Sequence, residues 1–515
     1  MNRRSFLTSG APALLAQAAA NAARRPNIVF LQPDSWDGRV LGYLGHPAMR
    51  RATPHLDRLA ARGTAFRNAY TSHPVCCPSR ANMWSGRYTQ HVESWNNHKG
   101  LSETDRTFKS YLETAGYRFA SKEGGLGKHD YLSGGHTMFN RVIEWTAPAN
   151  IRLPQFRMAR PEVIPEDKEP HQSDWTRVEE ARRFLRQEAK RGSPFFLYVG
   201  LSLPHPPFVT KRKWLDLVES GAISVPPEDE EVHPVMSYQR ISKDWQHGFS
   251  PDAVRKTRAI YYAMCAETDS MVGAIADEVE RLGLAGNTYI VVTSDHGENN
   301  MEHRQYYKMN MYESSARVPL VVCGPGVRQG LVLDNIVSLV DLFPTLLEMG
   351  GVAPPAGLDG ESLMPLLTGR SNRSRNWAYA MYSGCSANTS MFMLRDGDWK
   401  YIAYPGYRPQ LFNLREDPEE VRNLAARSPE VVSGMDKKLR AVVDYDEVDR
   451  RVLAYDKASF RAWRQKARRD GVVAREFSRE GKAASYEEFM AFCYRGWGPD
   501  HAAQLERWLS EGRNG

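Results

Sequence analysis

Pro26-Asn27-Ile28-Val29-Phe30-Leu31 is a short, unbroken apolar run, with Asp34 three residues beyond its end. Runs of this kind form strands buried on both faces of a parallel sheet. Three further stretches, 195–201, 289–293 and 318–322, have the same character. Helical patterns lie between them. Thr53-Pro54 starts one by N-cap and first-turn logic, with Leu56 and Leu59 facing inward and Gly63 as its stop. Ser250-Pro251 starts a longer one, in which Val254, Tyr261, Cys265, Val272, Val279 and Leu282 recur at helical spacing before Gly283. Strands alternating with helices predict an α/β fold: a large domain with a central, mainly parallel sheet flanked by helices.

The pattern changes after Ser371-Asn372-Arg373-Ser374-Arg375. Stretches 391–394 and 399–404 flank Arg395-Asp396-Gly397-Asp398, a hairpin signal, and Gln410-Leu411-Phe412-Asn413-Leu414 adds another strand. From about residue 450 the sequence is Arg-rich and helical, with Trp463, Phe477, Phe489 and Trp508 as candidate packing anchors. The expected organisation is a leader at 1–23, a catalytic α/β domain at 24–375, a small antiparallel subdomain at 376–450 and a helical tail at 451–515.

Composition narrows the class. With 515 residues, 42% of them hydrophobic and 25% charged, the chain can bury a large core. A formal net charge of +7 suits an anionic small substrate, although a mild excess of Arg also serves solubility. Six cysteines in a chain this long, two of them adjacent, do not make a disulfide framework; Cys265 and Cys323 read as core thiols. Asn2-Arg3-Arg4-Ser5-Phe6-Leu7, followed by an Ala/Leu-rich run with small residues at 18–22, has the form of a twin-arginine leader with a cleavage site. No later stretch approaches the ~20 apolar residues of a membrane span. The mature protein is therefore expected to be exported, periplasmic or secreted, with no transmembrane segment and with the twin-arginine export machinery as a transient partner.

Cys76-Cys77-Pro78-Ser79-Arg80, closed by Ser85-Gly86, carries the most specific signal. It resembles the Cys-x-Pro-Ser-Arg signature of the sulfatase family, whose fold is alkaline phosphatase-like. The resemblance implies that the first Cys is oxidised to Cα-formylglycine by a formylglycine-generating enzyme. The hydrated aldehyde is then a nucleophile that can release sulfate by collapsing back to the aldehyde. Spacing selects Cys76, which has Pro at plus two and Arg at plus four; Cys77 has neither. Pro78 suits the first turn of a helix, whose N-terminal amides would favour an anion. Arg80 can fix a metal-ligand carboxylate or the diol with a forked hydrogen bond.

Open α/β sheets place ligands at the carboxyl ends of their strands, so Asp34 and Asp295-His296 can converge. With a formylglycine oxygen at Cys76 they would hold a hard cation, Ca²⁺ by preference and Mg²⁺ as an alternative. The family pattern implies the same set. It usually has a second acid after the first, where this chain has Ser35, and often Asn where it has His296, so the site is one charge poorer. Gly127-Lys128-His129-Asp130 is similar to the family's Gly-Lys-x-His element, with Asp130 at the His position; His129 or His136 remains open as the residue that activates the diol. Lys308, ahead of Tyr312-Glu313, matches the second sulfate-binding Lys. His205, in Leu203-Pro204-His205-Pro206, matches a His near the leaving oxygen.

Longer blocks are similar to one subgroup of the family, and they span most of the chain: Glu93-Ser94-Trp95-Asn96-Asn97, Tyr261 to Asp269, Ser294-Asp295-His296-Gly297-Glu298, Met301-Glu302-His303-Arg304-Gln305 and Trp399-Lys400-Tyr401-Ile402-Ala403-Tyr404. That resemblance implies an exo-acting enzyme on the 2-O-sulfate of a hexuronate, glucuronate first, in sulfated glycosaminoglycans. It adds His233 as a substrate-binding residue. Arg304 could grip the uronate carboxylate, or else pair with Glu302 or Glu313. The expected partner is a sulfated carbohydrate and not a nucleic acid. Besides another sulfatase specificity, for an aryl or hexosamine sulfate, the rival readings are a phosphodiesterase or phosphonate monoester hydrolase with the same nucleophile geometry and, second, a non-catalytic glycan-binding protein. The second is disfavoured because Cys76, Arg80, Lys128, Asp295 and Lys308 are all present.

Overall fold

The computed structural model describes residues 25–132, 161–243, 245–370, 373–384, 386–472, 483–493 and 500–510. The leader, His136 and Phe477 lie outside these residues.

Apolar runs do become the centre of the molecule. Asn27–Asp34 pairs in parallel with Phe195–Pro204 on one side and with Thr288–Thr293 on the other. Ile28, Val29, Phe30 and Leu31 are at most 1% exposed, as a strand covered on both faces requires. Each such side chain stabilises the fold by roughly 1.5–3 kcal/mol relative to exposure. The central sheet runs from Leu331–Ser338 through Thr64–Tyr70, Leu320–Cys323, Thr288–Thr293, Asn27–Asp34 and Phe195–Pro204 to Arg118–Phe119. Helices cover both faces, so the α/β expectation holds.

The expected strand at 318–322 differs in detail. Pro319, which has no N–H to donate, separates Arg317–Val318 from Leu320–Cys323. Leu320–Cys323 also runs antiparallel to both of its neighbours, making the sheet mixed.

Helix ends follow sequence logic with two departures. Pro251–Arg281 is capped by Ser250 Oγ, which accepts from Ala253 N–H at 3.2 Å, and Gly283 turns the chain out in a left-handed conformation. Pro54–Ala61 starts where expected, but the Thr53 hydroxyl accepts from Gly42 N–H and does not cap the helix. Gly63 is needed for closeness: a Cβ there would lie 2.2 Å from the carbonyl oxygen of Val322.

Beyond residue 376, Trp377–Tyr382, Met391–Asp396, Trp399–Ala403 and Gln410–Asn413 form a four-stranded antiparallel sheet. The hairpin turns at Gly397-Asp398, with Gly397 at φ 57°. Trp377–Tyr382 has no counterpart in the sequence reading. Helices Tyr445–Asp470, Tyr486–Cys493 and His501–Ser510 follow, and Trp463 packs near Phe489 while Trp508 meets Phe460. Among the described residues, no helix is long and apolar enough to cross a membrane.

Candidate active site

Asp34 ends the first strand and Asp295 follows Thr288–Thr293, so two adjacent parallel strands deliver both carboxylates to one edge of the sheet. Cys76 is the first residue of the helix Cys76–Ser85, all ten residues of which are buried. Ligand atoms of Asp34, Cys76, Asp295 and His296 lie within 4.8 Å of one another. His296 Nδ1 donates to the Gly297 carbonyl at 2.9 Å, so Nε2, 3.3 Å from Cys76 Sγ, is the ring nitrogen that faces the cluster; against burial, Asp295 and Cys76 raise the ring's pKa. Two buried carboxylates, an imidazole nitrogen and the position that a formylglycine oxygen would take are a donor set that fits a hard divalent cation.

Ser35, at the place of the missing acid, does different work. Its hydroxyl donates to Asp34 at 2.9 Å and its backbone N–H to Asp295 at 3.3 Å, from a left-handed φ of 69°. It fixes both carboxylates without adding charge. Arg80 completes the frame. Its guanidinium reaches Asp295 and Asp34, the Tyr198 hydroxyl at 2.7 Å and the Lys128 carbonyl at 2.6 Å.

Lys128 Nζ lies 2.5 Å from Asp34 and 3.6 Å from Cys76 Sγ. It is brought there by a close backbone approach: Lys128 N–H donates to the Gly200 carbonyl, and a Cβ on Gly200 would sit 1.7 Å from the Lys128 oxygen. Burial works against charge on this ammonium, but Asp34, Cys76 and Asp295 together outweigh it and the pKa is raised. Asp34 itself is held well below the usual carboxylate range, because Lys128, His205, His296 and Lys308 together outweigh its burial. At Cys76, burial and Asp34 oppose ionisation, yet Lys128, Lys308 and His296 bring the thiol below its ordinary value. Lys308 is 5% exposed, within electrostatic reach of Asp34 and Cys76.

His205 shares this neighbourhood. Burial first, then Lys308, push its pKa well below the ordinary value. Its Nδ1 donates to the Pro206 carbonyl at 2.7 Å, so in the neutral form favoured by this lowered pKa Nε2 is the acceptor.

Some expected roles change. The helix at Cys76 does not present a fan of free amides: Cys77 N–H is taken by Asn97 Oδ1 at 2.9 Å, Pro78 has none, and Ser79 N–H bonds Val75. The helix dipole remains. His233 is 1% exposed, accepts from Val235 N–H as the N-cap of Pro234–Ser242, reaches the Arg408 carbonyl and stacks on Tyr404. Both ring nitrogens therefore meet backbone groups. Arg304 pairs with neither Glu302 nor Glu313; it reaches the Pro226 carbonyl and, at 3.3 Å, Glu228. Glu302 is instead taken by Arg39, and Glu313 by Lys400. His129 Nδ1 is 2.9 Å from the Gly127 carbonyl.

Three contributors were not legible as site residues. Asn97 caps the Cys76 helix from a remote loop. Tyr198 lies between Arg80 and Gln32 Oε1. Glu298, fully buried, has its pKa pushed up to about 7 by burial against the opposing charge of Lys308. The quoted blocks Glu93-Ser94-Trp95-Asn96-Asn97 and Ser294-Asp295-His296-Gly297-Glu298 contain the first and the last, without a role for either.

Comparison with known proteins agrees with this geometry. Residues 26–352 match the family described as Sulfatase, and residues 301–444 match N-sulphoglucosamine sulphohydrolase, C-terminal. The chain is 41% identical to arylsulfatase K of Bos taurus over 468 residues, covering 85% of this chain and 86% of the relative. It is 40% identical to arylsulfatase K of Homo sapiens over 493 residues, covering 90% and 91%. In fold it is similar to a phosphonate monoester hydrolase of Agrobacterium radiobacter (TM-score 0.66, 24% identity, 81% and 96% coverage). It is also similar to a 2-O GAG sulfatase (TM-score 0.63, 21% identity, 85% and 94% coverage). The chain belongs to the sulfatase family of sulfuric ester hydrolases.

Proposed function

We propose that this enzyme hydrolyses sulfate monoesters with Cys76, as formylglycine, for its nucleophile, and that its substrate is a 2-O-sulfated hexuronate, glucuronate first, at the end of a glycosaminoglycan chain. The observation that carries the reading is the clustering of Asp34, Cys76, Asp295 and His296 within 4.8 Å, with Lys128 at its edge. A formylglycine at Cys76 would supply a hydrated aldehyde as nucleophile. A divalent cation, Ca²⁺ or Mg²⁺, held by Asp34, Asp295, His296 and residue 76 would neutralise charge on the sulfuryl group.

The chain's own residues supply the rest. Lys128 and Lys308 balance the sulfate oxygens, and Arg80 keeps the two carboxylates at a fixed separation. The neutral resting His205 gains a proton at Nε2 when the sulfate's negative charge enters beside it, and passes that proton to the leaving oxygen. Water consumed and sulfate released balance the reaction. The 2-O-uronate choice rests on the arylsulfatase K relatives and the block resemblances. We further propose that residues 1–23 direct export to the periplasm or beyond, and that the unit boundaries fall near 375 and 450.

Protein co-expressed with a formylglycine-generating enzyme should hydrolyse a 2-O-sulfoglucuronide faster than an aryl sulfate, an aryl phosphate or a 6-O-sulfated hexosamine. Preference for the aryl phosphate would favour a phosphodiesterase or phosphonate monoester hydrolase. Preference for the hexosamine would overturn the substrate class alone. Absence of turnover on all four, with the aldehyde present, would overturn the enzymatic reading.

A further inference from the structure

Lys308 sits in the most distorted stretch of backbone in the described chain. Asn300, Met301, His303, Arg304, Tyr307 and Met309 all adopt φ between 44° and 82° without being glycine. Each such residue costs on the order of 1–3 kcal/mol and persists only where its surroundings over-determine it. The residues on either side of Lys308 are both in this state, so the direction of its side chain depends on whatever pins the neighbouring carbonyls.

The Tyr307 carbonyl is held from within the loop by Asn299 N–H and that of Gln305 by Met301 N–H, while other pins come from outside it. Arg258 Nη1 donates to the Asn300 carbonyl at 3.0 Å and Gln239 Nε2 to that of Met309 at 2.9 Å. The pin nearest the downstream end of the loop crosses from the other sheet. Lys400, on Trp399–Ala403, is 0% exposed and donates to the Met311 carbonyl at 2.9 Å. The same ammonium binds Glu313 at 2.7 Å and Glu420 at 2.8 Å. A fully buried lysine carries a large desolvation cost, which two carboxylates offset. A methionine would fill the space without that cost, so burial alone does not call for a charged group here.

We propose that Lys400 is a positioning residue for the sulfate pocket, in which the antiparallel sheet fixes the backbone that aims Lys308. The inference rests on the reading of Lys308 as a sulfate-binding residue. Lys400 touches no reacting atom; it acts on Lys308 through the Met311 carbonyl and Glu313.

The test is a double-mutant cycle on inorganic sulfate binding, measured by calorimetry with the full-length protein, so that it does not depend on turnover. Lys400→Met should weaken sulfate binding about tenfold when Lys308 is present and leave it unchanged in a Lys308→Ala background. With a sulfate ester as substrate, the same change should raise KM and lower kcat together, again only when Lys308 is present. Equal losses in both backgrounds, or unchanged affinity in a folded Lys400→Met protein, would overturn the proposal. If Lys400→Met does not fold because Glu313 and Glu420 lose their shared cation, with Glu313 keeping Arg317 as an ion-pair partner, Lys400→Met/Glu420→Gln carries the same cycle with the excess charge removed. A parent that binds sulfate without hydrolysing any ester would overturn the proposed function while the cycle still decides on Lys400. A parent that binds no sulfate would overturn the positioning role as well.

Discussion

Arg80 spans both carboxylates of the site: its Nη2 lies 2.9 Å from Asp295 and 3.3 Å from Asp34, with all three side chains fully buried. Two carboxylates this close would repel each other and resist burial, and the guanidinium fork holds them apart at a fixed spacing. A lysine keeps the charge but cannot reach Asp34, Asp295, Tyr198 and the Lys128 carbonyl together. Arg80→Lys should therefore lower kcat by at least about 100-fold and destabilise the fold by about 3 kcal/mol, near the lower end for a broken buried pair. Turnover and chemical denaturation check the two losses separately. A kcat within a few-fold of the parent would show that the spacing is held by other groups.

Cys76 and Cys77 are adjacent and both buried, yet only Cys76 Sγ faces Lys128 and His296. Cys77 contributes its backbone N–H to Asn97, which substitution of its side chain leaves in place. Cys76→Ala should abolish turnover, and Cys77→Ala should keep most of it. Mass analysis of the peptide across both should find the thiol-to-aldehyde change at residue 76. An aldehyde at 77, or the reverse pattern of activity loss, would move the nucleophile.

Ion retention is the third expectation. With Ser35 in place of a second acid, the cluster offers two carboxylates, and an engineered or natural site with three should hold Ca²⁺ more tightly. Exhaustive chelation should remove both the ion, by elemental analysis, and activity, with recovery on adding Ca²⁺ and less complete recovery with Mg²⁺. Full activity in metal-free protein would refute the site.

Acid stability should depend on Glu278, far from the chemistry. Its carboxylate is met by Arg281 and, at 2.8 Å, by Arg186, and these hydrogen bonds, that of Arg281 foremost, lower its pKa to about 2 against burial. A carboxyl whose folded pKa is depressed contributes stability that is present above its unfolded value, near 4.5, and lost as pH falls toward 2. The arginines are partly exposed, so solvent screening leaves on the order of 1 kcal/mol. Glu278→Gln should lower the denaturation midpoint at pH 7 and converge with the parent near pH 2. A constant difference across that range would assign the effect to packing.

The parts of this molecule that were legible in sequence share one property: their physics is local. Unbroken apolar runs such as Ile28 to Leu31 specify buried strands, and Asp34 then falls at a strand end wherever the neighbours lie. Ser250-Pro251 and Gly397-Asp398 encode a cap and a turn within a few residues. What stayed hidden depends on partners remote in sequence. Asn97 caps the Cys76 helix, the Arg408 carbonyl engages His233 and Lys400 grips Met311 across 89 residues. The antiparallel course of Leu320–Cys323 is equally non-local, since its apolar composition is the same in either direction. His233 belongs with these: both of its ring nitrogens meet backbone groups, one of them 175 residues away.

Uronate recognition is the finest point still open to experiment. A sulfate seated beside Lys128, Lys308 and a cation has its charge matched, so a uronate carboxylate needs a further cationic partner. Arg304 is built in a way that allows this. Its Nη1 stays fixed on the Pro226 carbonyl, while Nη2 meets Glu228, whose side chain is 76% exposed. The Arg304 side chain is itself only 13% exposed, but a carboxylate this exposed gives up a 3.3 Å pair at little cost, about 0–1 kcal/mol for a solvated pair. Arg304→Ala should then hurt hydrolysis of a 2-O-sulfoglucuronide by about tenfold more than that of an aryl sulfate, in line with a lost charge-assisted pair. Glu228→Gln removes the competing carboxylate and should lower KM for the uronate substrate alone. Equal losses on both substrates with Arg304→Ala, and no change with Glu228→Gln, would leave Arg304 as a brace for the Lys308 loop and place the carboxylate partner elsewhere.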